Sequence, residues 1–264
     1  MFATEQTEAL LRFGFKFGRG GVHAARTMML PELQRLLDAL PEDAEQADYR
    51  AAVVDTNLLD KPSLKARKLG FEHLCGLYAL DPNVCLFRVL RRLWHSDAPS
   101  QPVLALSMAL ARDALLRLSA PLILEARPGV RVSRDQMAER FATWGEGRFS
   151  ATSVEAIAQR VNGTWTRAGY LTGRVKKVRT QPEITPVNVA FALFLAYLEG
   201  RLAQRLLTSD WVRVLDLPEE RLIELTQAAA LCGLLVFRRT GAVMEVRFPN
   251  YLTEQEREWL NEQA

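Results

Sequence analysis

The sequence predicts a mainly α-helical protein: an N-terminal helical bundle followed by two units in which helices lead into a short β-hairpin. Three observations carry this. Most segments repeat apolar residues at helical spacing. Hairpin signals built on glycine turns appear near residues 173 and 241. Capping boxes, Ser133 with Gln136 and Thr253 with Glu256, mark helix starts in the second half. The 264 residues, 48% hydrophobic and 25% charged, can form one large domain or two to three small ones.

The N-terminal elements come first. "PELQRLLDAL" puts Leu33, Leu36, Leu37 and Leu40 on one face, with Pro31 suited to a first turn. "PSLKARKLGFEHLCGLYAL" does the same with Leu64, Leu69, Leu74 and Leu77, and "VCLFRVLRRLW" with Val84, Phe87, Leu90 and Trp94. In the latter, Arg88, Arg91 and Arg92 read as the exposed face. "PVLALSMALARDALLRL" gives another helix, so residues 1–127 form the bundle. The turn signal Pro128-Gly129 sets the boundary of a second unit, 128–186.

In that unit the helix capped by Ser133 carries Met137, Phe141 and Trp144 on one stripe and is closed by Gly145 and Gly147. A second helix, about 151–168, has the apolar stripe Val154, Ile157, Val161, Trp165 and Ala168. Its opposite stripe is Glu155, Gln159, Asn162 and Thr166. Helix, glycine turn, helix and hairpin is the order of a winged helix-turn-helix. In "GRVKKVR" the two valines are three apart, so a regular half-buried strand cannot bury both, and a bulge, frayed edge or turn must intervene. The last segment, 187–264, joins an apolar helix at 187–207 to a second unit of similar order: a helix from Pro218 to Gly233, the strands "LLVFRR" and "AVMEVRF", and a terminal helix docking Trp259 and Leu260.

Net charge is only +3, so phosphate binding needs clustered cations. The clearest cluster lies between Ala156 and Pro182, where Arg160, Arg167, Arg174, Lys176, Lys177 and Arg179 occur with no acidic residue. Gln159 and Asn162 carry amides suited to bidentate contact with adenine. Thr164, Thr166 and the cations suit backbone phosphates. An ordinary solvated face is the alternative. Two further clusters form a secondary anion site: Lys16, Arg19, His23 and Arg26 in a glycine-rich segment leading into a helix, and Lys65, Arg67 and Lys68 at a helix start beside Lys61. A glycine hinge and a solvated face are their plainer readings.

Neither phosphate-loop glycine pattern occurs, and His23 has no partner at catalytic spacing, so no enzyme, cofactor or metal is expected. His73, Cys75, Cys85 and His95 lack the tight-turn spacing of a zinc knuckle. Three cysteines without a C-x-x-C pair fit a reducing compartment. The N-terminus carries Glu5 and Glu8 in place of a basic, then apolar, leader, and "VNVAFALFLAYL" is too short for a membrane span. A cytoplasmic protein without membrane contact is expected.

The segment "FSATSVEAIAQRVNGTWTRAGYLTGRVKKVRTQPEITPVNVAFALFLAYLEG" resembles the BrxA proteins of bacterial BREX phage-defence systems. The matching residues are Thr164, Trp165, Ala168, Gly169, Gly173, Arg174, Val175 and Lys176, with Gly163-Thr164 where the family has a serine pair. The resemblance covers about residues 133–250. It implies a small, mainly helical, non-enzymatic DNA-binding protein working beside other defence-system proteins, and together with the winged-helix order it makes double-stranded DNA the expected partner. Cations outnumber base-reading groups, so the binding is expected to be sequence-tolerant. The competing classes are an assembly protein using its winged-helix units against other proteins and an RNA-binding helical module, the latter disfavoured by the lack of an aromatic stacking platform.

Overall fold

Two apolar segments set the centre of the fold. In the computed structural model, which describes residues 8–144, 147–241 and 243–262, nearly every side chain of α6 (Gln101–Arg112) and α10 (Pro186–Leu198) is buried. Helices apolar on all sides need partners on all sides. Around them pack α4 (Leu64–Tyr78), α5 (Cys85–Trp94), α12 (Asp210–Val214) and α13 (Glu219–Leu231). The remaining N-terminal helices are α1 (Glu8–Phe13), α2 (Leu30–Ala39) and α3 (Gln46–Arg50), which continues into a π-turn at 51–55. One contiguous hydrophobic cluster runs through all of these segments.

The predicted helix over 102–118 is two helices. Asp113 leaves helical geometry and caps α7 (Ala114–Leu124), its Oδ1 accepting from the Leu116 N–H at 3.1 Å. Arg112, just before the break, donates to the carbonyls of Gly14, Gly76 and Cys75, and burial lowers its pKa to about 10. In α4, Leu64 and Leu69 are exposed while Leu74 and Leu77 are buried, so the predicted leucine face holds only in its second half. Of the three α5 arginines expected on the exposed face, only Arg92 is exposed. Arg91 is buried and donates to the Leu40 carbonyl at 2.6 Å, and Arg88 pairs with Glu256 at 2.5 Å.

After α7 the chain turns through Gly129, whose φ of +85° suits glycine, into β1 (Arg131–Val132), α8 (Arg134–Trp144), α9 (Ala151–Arg167), β2 (Leu171–Thr172) and β3 (Lys177–Arg179). The strands are antiparallel in the order β1-β3-β2, with Val132 opposite Lys177 and Thr172 opposite Val178. With α7 as leading helix, helix–strand–helix–helix–strand–strand is a winged helix-turn-helix-like arrangement. The valine spacing is resolved by a turn. Val175 sits in the 173–176 loop, 88% exposed, and only Val178 belongs to a strand. The expected helix-ending residue Gly145 lies outside the described residues, as do Glu5 and the rest of the first seven.

The apolar helix also ends earlier than expected, at Leu198. Gly200 takes a φ of +75° and reverses the chain into the short α11 (Gln204–Leu207). Beyond α13, β4 (Val236–Thr240) and β5 (Val243–Arg247) form the second hairpin, and α14 (Glu254–Asn261) closes the chain with a full capping box at Thr253. Here four helices, α10 to α13, lead into the β4–β5 hairpin, with none of the inserted strand that β1 provides in the first unit. Trp259 packs on Phe13 with ring centroids 5.8 Å apart, joining α14 to α1. Among the described residues no helix is long and apolar enough to cross a membrane.

Candidate nucleic-acid interface

α9 is a 17-residue amphipathic helix whose start is fixed by Ser150, which accepts from the Ser153 N–H. Val154, Ile157, Val161 and Trp165 bury its inner face, and the Trp165 indole N–H donates to Ser119 Oγ of α7 at 2.7 Å. At 3.6 residues per turn, Glu155, Gln159, Asn162 and Thr166 fall on the other side. Against that side stands the β2–β3 hairpin, held by Gly173. Its φ is +89°, and a Cβ there would collide with the Lys176 carbonyl.

Between α9, the hairpin, β1 and the start of α8 lies a hollow of about 390 Å³. Arg131, Arg134, Arg174 and Lys177 reach it, against a single carboxylate, Asp135. Gln159, Asn162, Ser133, Val132 and Val175 complete it. Four cations converging on one concavity make a field that attracts phosphate, which the chain's weak net charge would not. Partial burial lowers the pKa of Lys177 from its ordinary value. The α8 N-terminus adds little of its own, since Ser133 Oγ accepts from the Asp135 and Gln136 amides and Gln136 accepts from the Ser133 amide.

The predicted residues divide into groups. Gln159, Arg174 and Lys176 are exposed, and Lys177 half-buried, around the hollow and the hairpin tip. Asn162 lines the hollow but is only 4% exposed, and its Oδ1 is buried without a partner. Base contact through this side chain would require it to move.

Three predicted phosphate contacts are corrected by the packing. Thr164 is fully buried and its Oγ1 accepts from the Met28 N–H at 2.9 Å. Thr166 Oγ–H is spent on the Asn162 carbonyl at 2.7 Å, leaving no proton for a phosphate oxygen. Arg179, 1% exposed, lies over the Tyr170 ring, donates to the Ile123 carbonyl at 2.8 Å and pairs with Asp216. It fastens the hairpin to the α12–α13 connection. Its charge is matched inside the fold.

The secondary cluster is likewise rearranged. His23 is wholly buried. Its Nδ1–H donates to the Asp113 carboxylate at 2.9 Å, its backbone N–H donates to the same oxygen at 3.0 Å, and Nε2 lies 2.8 Å from Thr164 Oγ1. Burial alone would raise the Asp113 carboxyl, but the His23 ring, its hydrogen bond and the His23 and Leu116 amides outweigh it and hold the pKa below the ordinary value. The glycine-rich segment leads into a three-residue 3₁₀ turn, Val22–Ala24, not directly into a helix. Lys16, Arg19 and Arg26 are exposed; the Lys16 pKa is lowered, first by burial and then by the Arg112 charge. Lys65 and Lys68 border a separate shallow depression on α4, while Arg67 turns inward to the Val54 carbonyl at 3.2 Å. Lys61 pairs with Glu32 at 3.0 Å.

Arg131 and Arg134 were missed by sequence reasoning, although "VRVSRDQ" places them on either side of the α8 cap. Only the pairing of β1 with β3 carries them to the hairpin cations. Among the described residues no group of three or more His, Cys, Asp or Glu side chains is placed to hold a metal ion. No protein-family model matches the chain, and no curated protein matches its sequence.

Proposed function

We propose that the protein binds double-stranded DNA without catalysing a reaction on it, using α9 and the β2–β3 hairpin, and that binding is largely sequence-tolerant. The observation that carries this reading is the convergence of Arg131, Arg134, Arg174 and Lys177 on one hollow beside the exposed face of α9. Cations are the groups that hold phosphates, and Gln159 is the one exposed amide of the helix in position to meet a base edge. One such amide against four cations supports sequence tolerance. The resemblance to BrxA proteins adds a role as an accessory of a phage-defence system.

The test is affinity for a random-sequence duplex across a salt series, for the wild type and for Lys176→Ala/Lys177→Ala. A steep negative dependence of log affinity on log salt is expected, shallower by about 1–2 in the double variant because each phosphate contact contributes about −0.9. No measurable binding at low salt overturns the reading.

A second reading, protein assembly, is favoured by the other unit. The start of α13 carries Glu219 and Glu220, and Leu231 at its end is 90% exposed. An acidic, apolar-tipped helix suits a protein surface better than a phosphate backbone.

A further inference from the structure

We infer that the glycine-rich strap, residues 16–27, is a second arm of the same interface, contacting the phosphate strand on the side of α9 away from the hairpin. This rests on the duplex-binding reading. From Ala9 to Pro31 the sequence has no acidic residue, and Lys16, Arg19 and Arg26 are exposed.

The strap is fastened along α9 by the helix's own cations. Arg160 donates to the Ala24 carbonyl at 2.5 Å, Arg167 to Thr27 Oγ1 at 3.1 Å, and Arg148, just before α9, to the Arg19 carbonyl at 2.7 Å. His23 and Met28 anchor it from beneath on Thr164. The approach is close on both sides. A Cβ on Gly163 would stand 3.4 Å from Thr27 Cγ2, and one on Gly21 would run into the Asp113 carboxylate.

The angular arrangement gives this contact its meaning. At 3.6 residues per turn, Arg160, Gly163, Thr164 and Arg167 centre roughly 120° round α9 from Gln159 and Asn162. Gln159 therefore lies on a strip flanked by hairpin cations on one side and strap cations on the other. A helix roughly 10–12 Å across fills a major groove about 12 Å wide, so a phosphate strand runs along each flank. The hairpin serves one. Arg160 and Arg167, occupied by strap oxygens, are poorly free to serve the other, and Arg19 and Arg26 stand in their place on a backbone already held to the helix.

The experiment is the duplex salt series on the full chain with Arg19→Ala/Arg26→Ala. Both side chains are exposed, so the thermal midpoint is expected to be unchanged. The slope should become shallower by about 1–2. Arg221→Ala, whose guanidinium is already paired with Glu224 at 2.8 Å, should leave it unchanged. If the wild type binds and the strap variant keeps the wild-type slope, the arm is overturned while duplex binding stands. Tighter binding by the strap variant overturns it also, because the strap then obstructs the duplex. A wild type that binds no duplex overturns both.

Discussion

His23→Ala should destabilise the protein far more than an exposed histidine would. The side chains of His23 and Asp113 are 0% and 1% exposed, so the substitution strips a buried carboxylate of its side-chain partner and of one of its three hydrogen bonds. Removing one member of such a pair costs about 3–5 kcal/mol. At roughly 2–4 °C per kcal/mol for a chain of this size, the thermal midpoint should fall by about 6–20 °C. Urea unfolding followed by far-ultraviolet circular dichroism measures the free energy, and amide exchange reports the local effect. Met28 and the 3₁₀ turn should lose protection before the core of α6 does. The dependence on pH has a defined sign. The folded-state pKa of Asp113 lies below its ordinary 3.8, so its contribution is complete above about pH 4 and is lost as pH falls through the depressed value. The gap between wild type and variant should narrow over that acid range. A loss below about 1 kcal/mol at neutral pH would refute the assignment of His23 as a buried strut.

Three further outcomes follow from the packing. Arg179→Ala leaves Asp216 unpaired and withdraws donors from the Ile123 and Tyr170 carbonyls, so it should lower stability by about 3 kcal/mol or more in denaturant titration. Its effect on DNA affinity should be traceable to unfolding, unlike that of Lys177→Ala. Gly173→Ala forces a positive φ and a collision with the Lys176 carbonyl; it should cost upwards of about 1 kcal/mol and weaken duplex binding by disordering the hairpin tip. Trp165→Phe orphans no donor but loses the indole bond to Ser119, and should cost about 1–3 kcal/mol in the same titration.

Much of the architecture was legible because it rests on local rules. The α9 stripe, the capping boxes at Ser133 and Thr253, and the β4–β5 turn at Thr240-Gly241 all lie within a few residues of their causes. The site was legible only in part, because side-chain use is decided by distant neighbours. Arg179 resembles its sequence neighbours Lys176 and Lys177 until Tyr170 and Asp216 close over it. His23 and Thr164, 141 positions apart, read as surface polar groups until the strap folds onto α9. Arg131 and Arg134 were overlooked for the converse reason: the hairpin cations across the hollow, Arg174 and Lys177, are 40 or more positions away, and only strand pairing brings them there. The break at Asp113 was hidden because an aspartate inside an apolar run becomes a cap only when a buried histidine meets it.

The central claim is that duplex DNA lies against α9 and the β2–β3 hairpin. A photo-crosslinking side chain placed at Val175, on the hairpin tip, and separately at Leu231, on α13, tests it most directly, since both positions are largely exposed. Crosslinks to duplex DNA at 175 and none at 231 are the predicted result. Crosslinks at 231 with none at 175 would contradict it.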